Sequence, residues 1–133
     1  MGPMKAKKQA MKGKKKEPAR EKRISMEIVV DAYGASEQAM GWYYYLEENL
    51  QFPFPAMCVK KRDISPLKPE EKVEVVSMAP EAECEHEMFV SILWNDRRFS
   101  VPIDQLECGS RDGKTKQAIA DWHYWVRQGY QFG

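Results

Sequence analysis

The sequence has few cysteines and no long apolar run, and each scarcity excludes a class of protein. Its three cysteines, Cys58, Cys84 and Cys108, are odd in number and widely spaced, so they do not form a disulfide framework. No apolar signal region follows the first residues, and we expect a protein of the reducing cytoplasm. The longest apolar runs, near residues 42–46 and 88–94, are too short to span a bilayer, so no membrane span is expected.

Acidic residues are nearly absent from the first 23 positions, although the formal net charge of the whole chain is only +1. This segment has ten Lys or Arg residues against Glu17 and Glu21, whereas residues 24–133 have eleven basic and eighteen acidic residues, a net charge of −7. An acidic body attracts cations and repels nucleic acid, and a basic segment does the reverse. The two parts therefore need separate interpretations.

Residues 1–23 also lack every aromatic and β-branched side chain. Such a segment buries too little apolar surface to offset the entropy of ordering, so we expect a disordered lysine-rich tail followed by a single domain over residues 24–133. One interpretation is a solubilising tail that rests on the acidic body. The other is weak binding to a polyanion such as nucleic acid, the ribosome or an anionic lipid.

Two amphipathic helices are predicted, one near each end of the body. Residues 24–33 fit either a helix or a strand, because their four-residue apolar spacing coincides with a β-branched run. After Gly34, Ser36 is the expected cap of a helix that ends before the FPFP run at 52–55. Asp112 is the expected cap of a second helix that ends near Gly129. The residues expected at the contact between helices and sheet are Tyr43, Leu46, Trp122 and Val126.

Between the helices the apolar period changes to two, which is typical of strands. We expect strands at residues 56–62, 72–78, 86–94 and 97–101, with a hairpin turn at Asn95-Asp96 and one tight turn at 103–107. One long loop, a second loop, a tight hairpin and a turn in this order predict a small SH3-like β-barrel. With its flanking helices, the body is expected to be an α+β domain whose closed sheet protects its edges.

Glutamates occupy every second position from Glu81 through Glu83 and Glu85 to Glu87. On an extended segment this spacing puts four carboxylates on one face, about 6–7 Å apart, where they repel one another unless a cation lies among them. Ca²⁺ takes six to eight oxygen ligands and tolerates irregular geometry, so we expect it here. The segment does not have the EF-hand spacing. The alternative is a solvated hairpin end that stays charged against edge pairing.

A further ligand is expected from the first long loop. In an SH3-like barrel this loop lies beside the loop between the second and third strands, which would bring Asp63 towards the glutamate row. The predicted metal ligands are therefore Asp63, Glu81, Glu83, Glu85 and Glu87.

The cysteines and histidines raise the alternative of a zinc site. Cys84 and His86, with Cys58 and Cys108, provide a Cys₃His set in principle, but the sequence has no C-x-x-C pair. Small buried hydrophobes are the simpler interpretation of these cysteines. A Cys84/His86 nucleophile and base would lack a group that orients the imidazole. No catalytic set stands out, and the sequence predicts a binding protein rather than an enzyme.

Three segments of the chain resemble a known family. They are EIVVDAYGASEQAMGWYYYLEENLQFPF (27–54), ISPLKPEEKVEVVSMAPEAECEHEMFVSILW (64–94) and VPIDQL (101–106). Over about residues 24–126 the chain is similar to the small calcium-binding proteins described mainly from cyanobacteria. The resemblance implies a bacterial SH3-like barrel with helical additions that binds Ca²⁺ without EF-hands, through Glu81, Glu83, Glu85 and Asp63. The lysine-rich segment departs from the acidic character of that family.

Two functions from different classes follow. The first is a cytoplasmic calcium buffer or sensor, in which the ion neutralises the loop carboxylates. The second is a metal-free SH3-like interaction module whose basic tail binds nucleic acid or another polyanion. The sequence identifies no protein partner. The first function predicts that Ca²⁺ raises thermal stability, and the second predicts salt-sensitive binding to a polyanion.

Overall fold

The computed structural model of the protein describes residues 15–133. These residues form three α-helices and a five-stranded antiparallel sheet. The helices are α1 (Pro18–Arg23), α2 (Ala35–Asn49) and α3 (Gly113–Arg127), and the strands are β1 (Phe54–Cys58), β2 (Lys72–Met78), β3 (Phe89–Trp94), β4 (Arg97–Pro102) and β5 (Leu106–Cys108). The prediction of an α+β body is confirmed. None of the helices in the described part of the chain combines the length and hydropathy needed to cross a membrane.

The helix α1 lies inside the segment that was predicted to be disordered. Residues 1–14 of that prediction lie outside the described residues, but from Glu17 onwards the chain contacts the body. The guanidinium of Arg23 donates two hydrogen bonds to the buried carboxylate of Asp121, and Arg20 Nε lies 3.0 Å from the same group. The helix α1 therefore packs against the body, and a domain boundary at residue 23 stays a prediction. Ion pairs, and not apolar burial, anchor this helix, so composition gave no sign of the contact.

The ambiguous residues 24–33 begin as a helical turn and not as a strand. A π-helical turn, Ile24–Ile28, continues α1, and both of its isoleucines are buried. Gly41 of α2 passes so close to this turn that a Cβ atom would lie 2.3 Å from the carbonyl oxygen of Ile28. Glycine at position 41 therefore lets α2 pack directly against the backbone of the turn.

The helix α2 begins one residue before the expected cap. Gly34 is its N-cap, and the side chain of Glu37 accepts a hydrogen bond from the Gly34 N–H. The predicted cap of α3 is confirmed, since the carboxylate of Asp112 accepts a hydrogen bond from the Thr115 N–H at 2.9 Å. This hydrogen bond, followed by one from the Thr115 hydroxyl, lowers the pKa of Asp112.

The strands form an open sheet in the order β4-β3-β2-β1-β5. Each neighbouring pair is antiparallel, and no ladder joins the edge strands β4 and β5 among the described residues. The predicted closed SH3-like barrel is therefore not confirmed. Pro102 is the last residue of β4 because it has no N–H to continue the ladder. The 3₁₀ turn Ile103–Gln105 follows, and the three residues of β5 then pair with β1.

The predicted strands differ from the observed ones mainly at their ends. The first strand begins earlier and ends at Cys58, and the third begins only at Phe89. The turn expected at residues 103–107 contains the 3₁₀ turn and the start of β5. The hairpin turn is confirmed: Asn95 and Asp96 have φ values of 50° and 62°, as a tight hairpin between β3 and β4 requires.

The core lies between the sheet and the two long helices. Trp42 of α2 contacts Trp122 and Trp125 of α3, with ring centroids 5.0 and 5.6 Å apart. The expected burial of Tyr43, Leu46 and Trp122 is confirmed, whereas Val126 is only half-buried. The helices therefore cover one side of the sheet and place the start of α2 beside the connection from β2 to β3.

Candidate metal centre

The predicted glutamate row lies on a 3₁₀ helix followed by a bend, not on an extended segment. Residues Glu81–Cys84 form this helix between β2 and β3, and residues 85–87 bend towards β3. A 3₁₀ helix has three residues per turn, so Glu81 and Glu83 point in different directions. The prediction that the glutamates share one face is therefore wrong. We call residues 81–85 the acidic turn.

Within the acidic turn Glu81 contacts the helix α2. The hydroxyl of Tyr44 donates a hydrogen bond to Glu81 Oε1 at 3.0 Å, and this bond is the main cause of a raised pKa at Tyr44. The charge of Glu47 raises the same pKa further, so Glu47 and Glu81 act on one hydroxyl group. The end of the acidic turn nearest α2 is therefore a region of negative potential.

The carboxylates of the acidic turn surround a buried thiol. Cys84 is fully buried, and its Sγ accepts a hydrogen bond from the Phe89 N–H at 3.4 Å. Burial raises the pKa of the Cys84 thiol to about 11, with further contributions from the charges of Glu83, Glu81 and Glu87. Cys84 is therefore an anchor that holds the acidic turn against the core.

A groove of about 880 Å³ lies between the acidic turn and the start of α2. Its floor is apolar, and its rim carries oxygen donors from Glu81, Glu85, Ser36 and Gln131. Glu81, Glu83 and Glu85 are all exposed, and none of them forms an ion pair with a Lys or Arg of the described residues. Their charges are therefore available to a cation from solution.

Glu87 differs from the other glutamates because it already has a cationic partner. Arg62 Nη1 and Nη2 donate to its two carboxylate oxygens at 2.8 and 3.0 Å, and Nη1 also donates to Asp104 at 2.8 Å. Lys60 Nζ lies 3.0 Å from the other oxygen of Asp104. These charge-assisted hydrogen bonds raise the pKa of Arg62 and stabilise the guanidinium form. A metal ion would have to compete with Arg62 for Glu87.

Asp63 is exposed in a turn of the loop between β1 and β2. Within residues 15–133, no three His, Cys, Asp or Glu side chains are placed so that they could hold one metal ion. The five predicted ligands are thus not assembled. The oxygens at the rim of the groove fit Ca²⁺ by their chemistry, because it prefers carboxylate, carbonyl and hydroxyl ligands.

The structure gives the alternative zinc site no support. Cys58 and Cys84 are buried, Cys108 is half-buried, and His86 is exposed at the edge of the groove. None of these four side chains is part of a metal-binding group in the part of the chain that the structure describes. The interpretation of Cys58 and Cys84 as small buried hydrophobes agrees with their burial.

Sequence reasoning missed Tyr44 and Asp104. Tyr44 was not among the residues singled out, yet its side chain is 48% exposed and its hydroxyl donates a hydrogen bond to Glu81. Tyr44 and Glu47 lie three residues apart on one helix, and this spacing was the available signal that the Tyr44 hydroxyl lies near an acidic group. Asp104 contacts Arg62 from 42 positions away in the sequence, and no local pattern indicates such a pair.

The chain is similar to known proteins of one family. The sequence profile of the CcbP family, described as calcium binding, matches residues 22–126. The crystal structure of Anabaena CcbP is similar with a TM-score of 0.80 and 41% sequence identity, over 89% of this chain and 97% of that chain. None of the curated proteins matches the chain significantly.

A second solved structure, of a calcium-binding protein in its calcium-binding form, is similar with a TM-score of 0.79 and 40% identity, over 88% of this chain and 96% of that chain. The resemblance drawn from the sequence is confirmed, and so is Ca²⁺ as the ion. The profile covers most of the chain, including both long helices, the five strands and the acidic turn. The chain therefore belongs to the CcbP family of calcium-binding proteins.

Proposed function

We propose that this protein binds Ca²⁺ at the acidic turn, with Glu81, Glu83 and Glu85 as its carboxylate ligands. The observation that carries the proposal is that these carboxylates have no cationic partner within residues 15–133, in a member of a calcium-binding family. Like charges held in one turn repel one another, and a divalent cation relieves this repulsion. Ser36 and Gln131 contribute further oxygens at the rim of the groove.

In this proposal Asp63 and Glu87 lie near the Ca²⁺ ion but do not bind it directly. Glu87 is held by Arg62, and Asp63 follows Arg62 in the same loop. While Arg62 stays in place, its positive charge weakens the attraction between Glu87 and a Ca²⁺ ion at the acidic turn. We infer that Arg62 holds Glu87 outside the inner set of ligands, and that Glu47 is the next acidic neighbour of the ion.

The proposed role is that of a sensor and not of a passive buffer. Within residues 15–133 no three acidic side chains are close enough to hold one metal ion. In this proposal, Ca²⁺ binding is therefore coupled to a movement of the acidic turn. The Tyr44–Glu81 hydrogen bond transmits that movement to α2. The three cysteines are free, and two are buried, which supports action in the reducing cytoplasm.

Replacing Glu83 and Glu85 together with Gln is expected to lower the affinity for Ca²⁺ by about tenfold or more, because the site loses two charges while its shape is kept. The metal-free variant is expected to be no less stable than the parent protein, since repulsion within the turn is relieved. Calorimetric titration of protein first treated with EDTA measures the affinity, and thermal unfolding in EDTA measures the stability.

The matched control is the double change Glu74→Gln and Glu107→Gln. Both residues are exposed on strands and carry the same charge, and they do not line the groove. Glu71 is unsuitable as a control because its carboxylate accepts hydrogen bonds from Lys68 N–H and Trp94 Nε1. If the control lowers the affinity as much as the test pair does, diffuse surface charge holds the ion and the proposed site is wrong.

Replacing Tyr44 with Phe tests the sensor role. In the parent protein we expect Ca²⁺ to change the near-ultraviolet circular dichroism of the tyrosines, because Glu81 leaves the Tyr44 hydroxyl. In the variant this spectral change is expected to shrink, while the affinity for Ca²⁺ stays equal or rises up to about threefold because Glu81 no longer loses a hydrogen bond. A parent protein that binds Ca²⁺ without any spectral change would be a buffer.

A further inference from the structure

The groove beside the acidic turn has a composition that suits one particular segment of this chain. Its apolar lining consists of the buried Ala39, the half-buried side chains of Met40 and Phe132, and the exposed Ala35 and Ala82. Glu81 and Glu85 stand on its rim. An occupant should therefore combine flexible apolar side chains with several positive charges.

Residues 1–14 have this chemistry. They contain five lysines, three methionines and no acidic residue, whereas residues 15–133 have sixteen basic and twenty acidic residues, a net charge of −4. Methionine side chains adapt to irregular apolar surfaces, and lysine stems cover apolar groups while the ammonium stays in water. The segment and the groove are thus complementary in both charge and polarity.

The described chain begins beside a second cavity that adjoins this groove. The carbonyl of Lys15 accepts a hydrogen bond from Gln128 Nε2 at 3.0 Å, and the ammonium of Lys16 lies 5.8 Å from the ring centre of Tyr130. Tyr130 and Gln131 line a second cavity of about 270 Å³, together with His86 and Glu87. His86 and Gln131 line both cavities, so the two are adjacent and lead from Lys16 to the acidic turn.

The length of the segment allows the contact. Fourteen residues span about 45–50 Å when fully extended, and a domain of this size has a radius of gyration of about 13 Å. Because the segment is attached next to the groove, its local concentration there is on the order of millimolar. Several contacts that together give a dissociation constant of about 1 mM therefore suffice for substantial occupancy.

We propose that the lysine-rich segment of residues 1–14 docks into this groove and competes with Ca²⁺ for the acidic turn. The competition rests on the proposed function, but the docking itself does not. The lysine ammonium groups neutralise Glu81 and Glu85 in the metal-free protein, and Ca²⁺ displaces them when it binds. The segment thereby raises the Ca²⁺ concentration at which the protein responds.

The test uses the full chain with Lys5, Lys7, Lys8, Lys12 and Lys14 all replaced by Gln. The affinity for Ca²⁺ is expected to rise about three- to tenfold in 50 mM salt, and the difference is expected to vanish near 1 M salt, where the Debye length is about 3 Å. The control replaces five exposed lysines of the body, which removes the same charge from elsewhere: Lys61, Lys68, Lys72, Lys114 and Lys116. An equal rise in the control would overturn the proposal.

A readout without calcium separates this proposal from the proposed function. In EDTA, the ¹H–¹⁵N spectrum of the tail variant is expected to differ from that of the parent at Ala82, Glu85 and Gln131. If these signals shift but neither protein binds Ca²⁺, the docking stands and the calcium site is wrong. If they do not shift, the docking is wrong, and loss of heparin binding in the same variant would identify the segment as a polyanion anchor instead.

Discussion

Replacing Trp122 with Ala is expected to lower the free energy of unfolding by about 3–5 kcal/mol. The side chain is 1% exposed and packs between Trp42 and Phe132, with ring centroids 5.0 and 6.0 Å away. Its indole N–H has no hydrogen-bond partner within residues 15–133, so the loss comes from packing and from the cavity left behind. Leu46→Ala, on the facing helix and fully buried, is expected to cost about 2–5 kcal/mol.

Urea unfolding measures both effects, and two further variants make the comparison specific. Trp122→Phe is expected to recover most of the lost free energy, because it refills the cavity and no hydrogen bond needs to be replaced. Lys116→Ala, at an exposed position of the same helix, is expected to change the free energy of unfolding by less than about 0.5 kcal/mol. A loss at Trp122→Ala as small as that of Lys116→Ala would contradict the packing of α2 against α3.

Replacing Arg20 and Arg23 together with Ala is expected to cost about 3–5 kcal/mol of stability, because it leaves the carboxylate of Asp121 buried without a cation. Asp121 is fully buried, and its oxygens accept hydrogen bonds from Arg23 Nε and Nη2 at 2.9 and 2.8 Å and from the Tyr45 hydroxyl at 2.6 Å. The arginine side chains are 21–23% exposed, so we expect the lower end of this range.

The buried charge makes a further variant informative. Adding Asp121→Asn to the double Arg variant is expected to restore part of the lost stability, because a neutral amide costs less to bury than an unpaired carboxylate. Thermal and urea unfolding of the single, double and triple variants form the cycle that isolates the interaction. If the double Arg variant is as stable as the parent, then α1 does not contribute to the fold, and the boundary predicted at residue 23 is confirmed.

Local patterns predicted the parts of this protein that depend on neighbouring residues. Apolar spacing of three and four indicated both long helices, and a spacing of two indicated β2 and the β3–β4 hairpin with its Asn95-Asp96 turn. The cap at Asp112 followed from residue type alone. Strand ends were less accurate, because the ends of β1 and β3 depend on partners across the sheet and not on the strand's own residues.

The candidate site was less predictable for the same reason. Counting residues identified the glutamates, but their directions depend on the 3₁₀ conformation, which Cys84 stabilises by packing into the core. The partner of Glu87 is Arg62, 25 positions away, and no spacing rule connects them. Composition also separated a basic segment from an acidic body, yet it gave no sign that Arg20 and Arg23 pair with the buried Asp121.

The sequence by itself determined the α+β class, the two long helices and the family, and it predicted which carboxylates bind Ca²⁺. The tertiary structure alone decided that the sheet is open, that Glu87 is already paired, and that α1 is anchored on Asp121. The physical reason is the range of the interactions. Backbone preference and apolar period act over a few residues, whereas ion pairs and strand order depend on where the folded chain brings distant residues together.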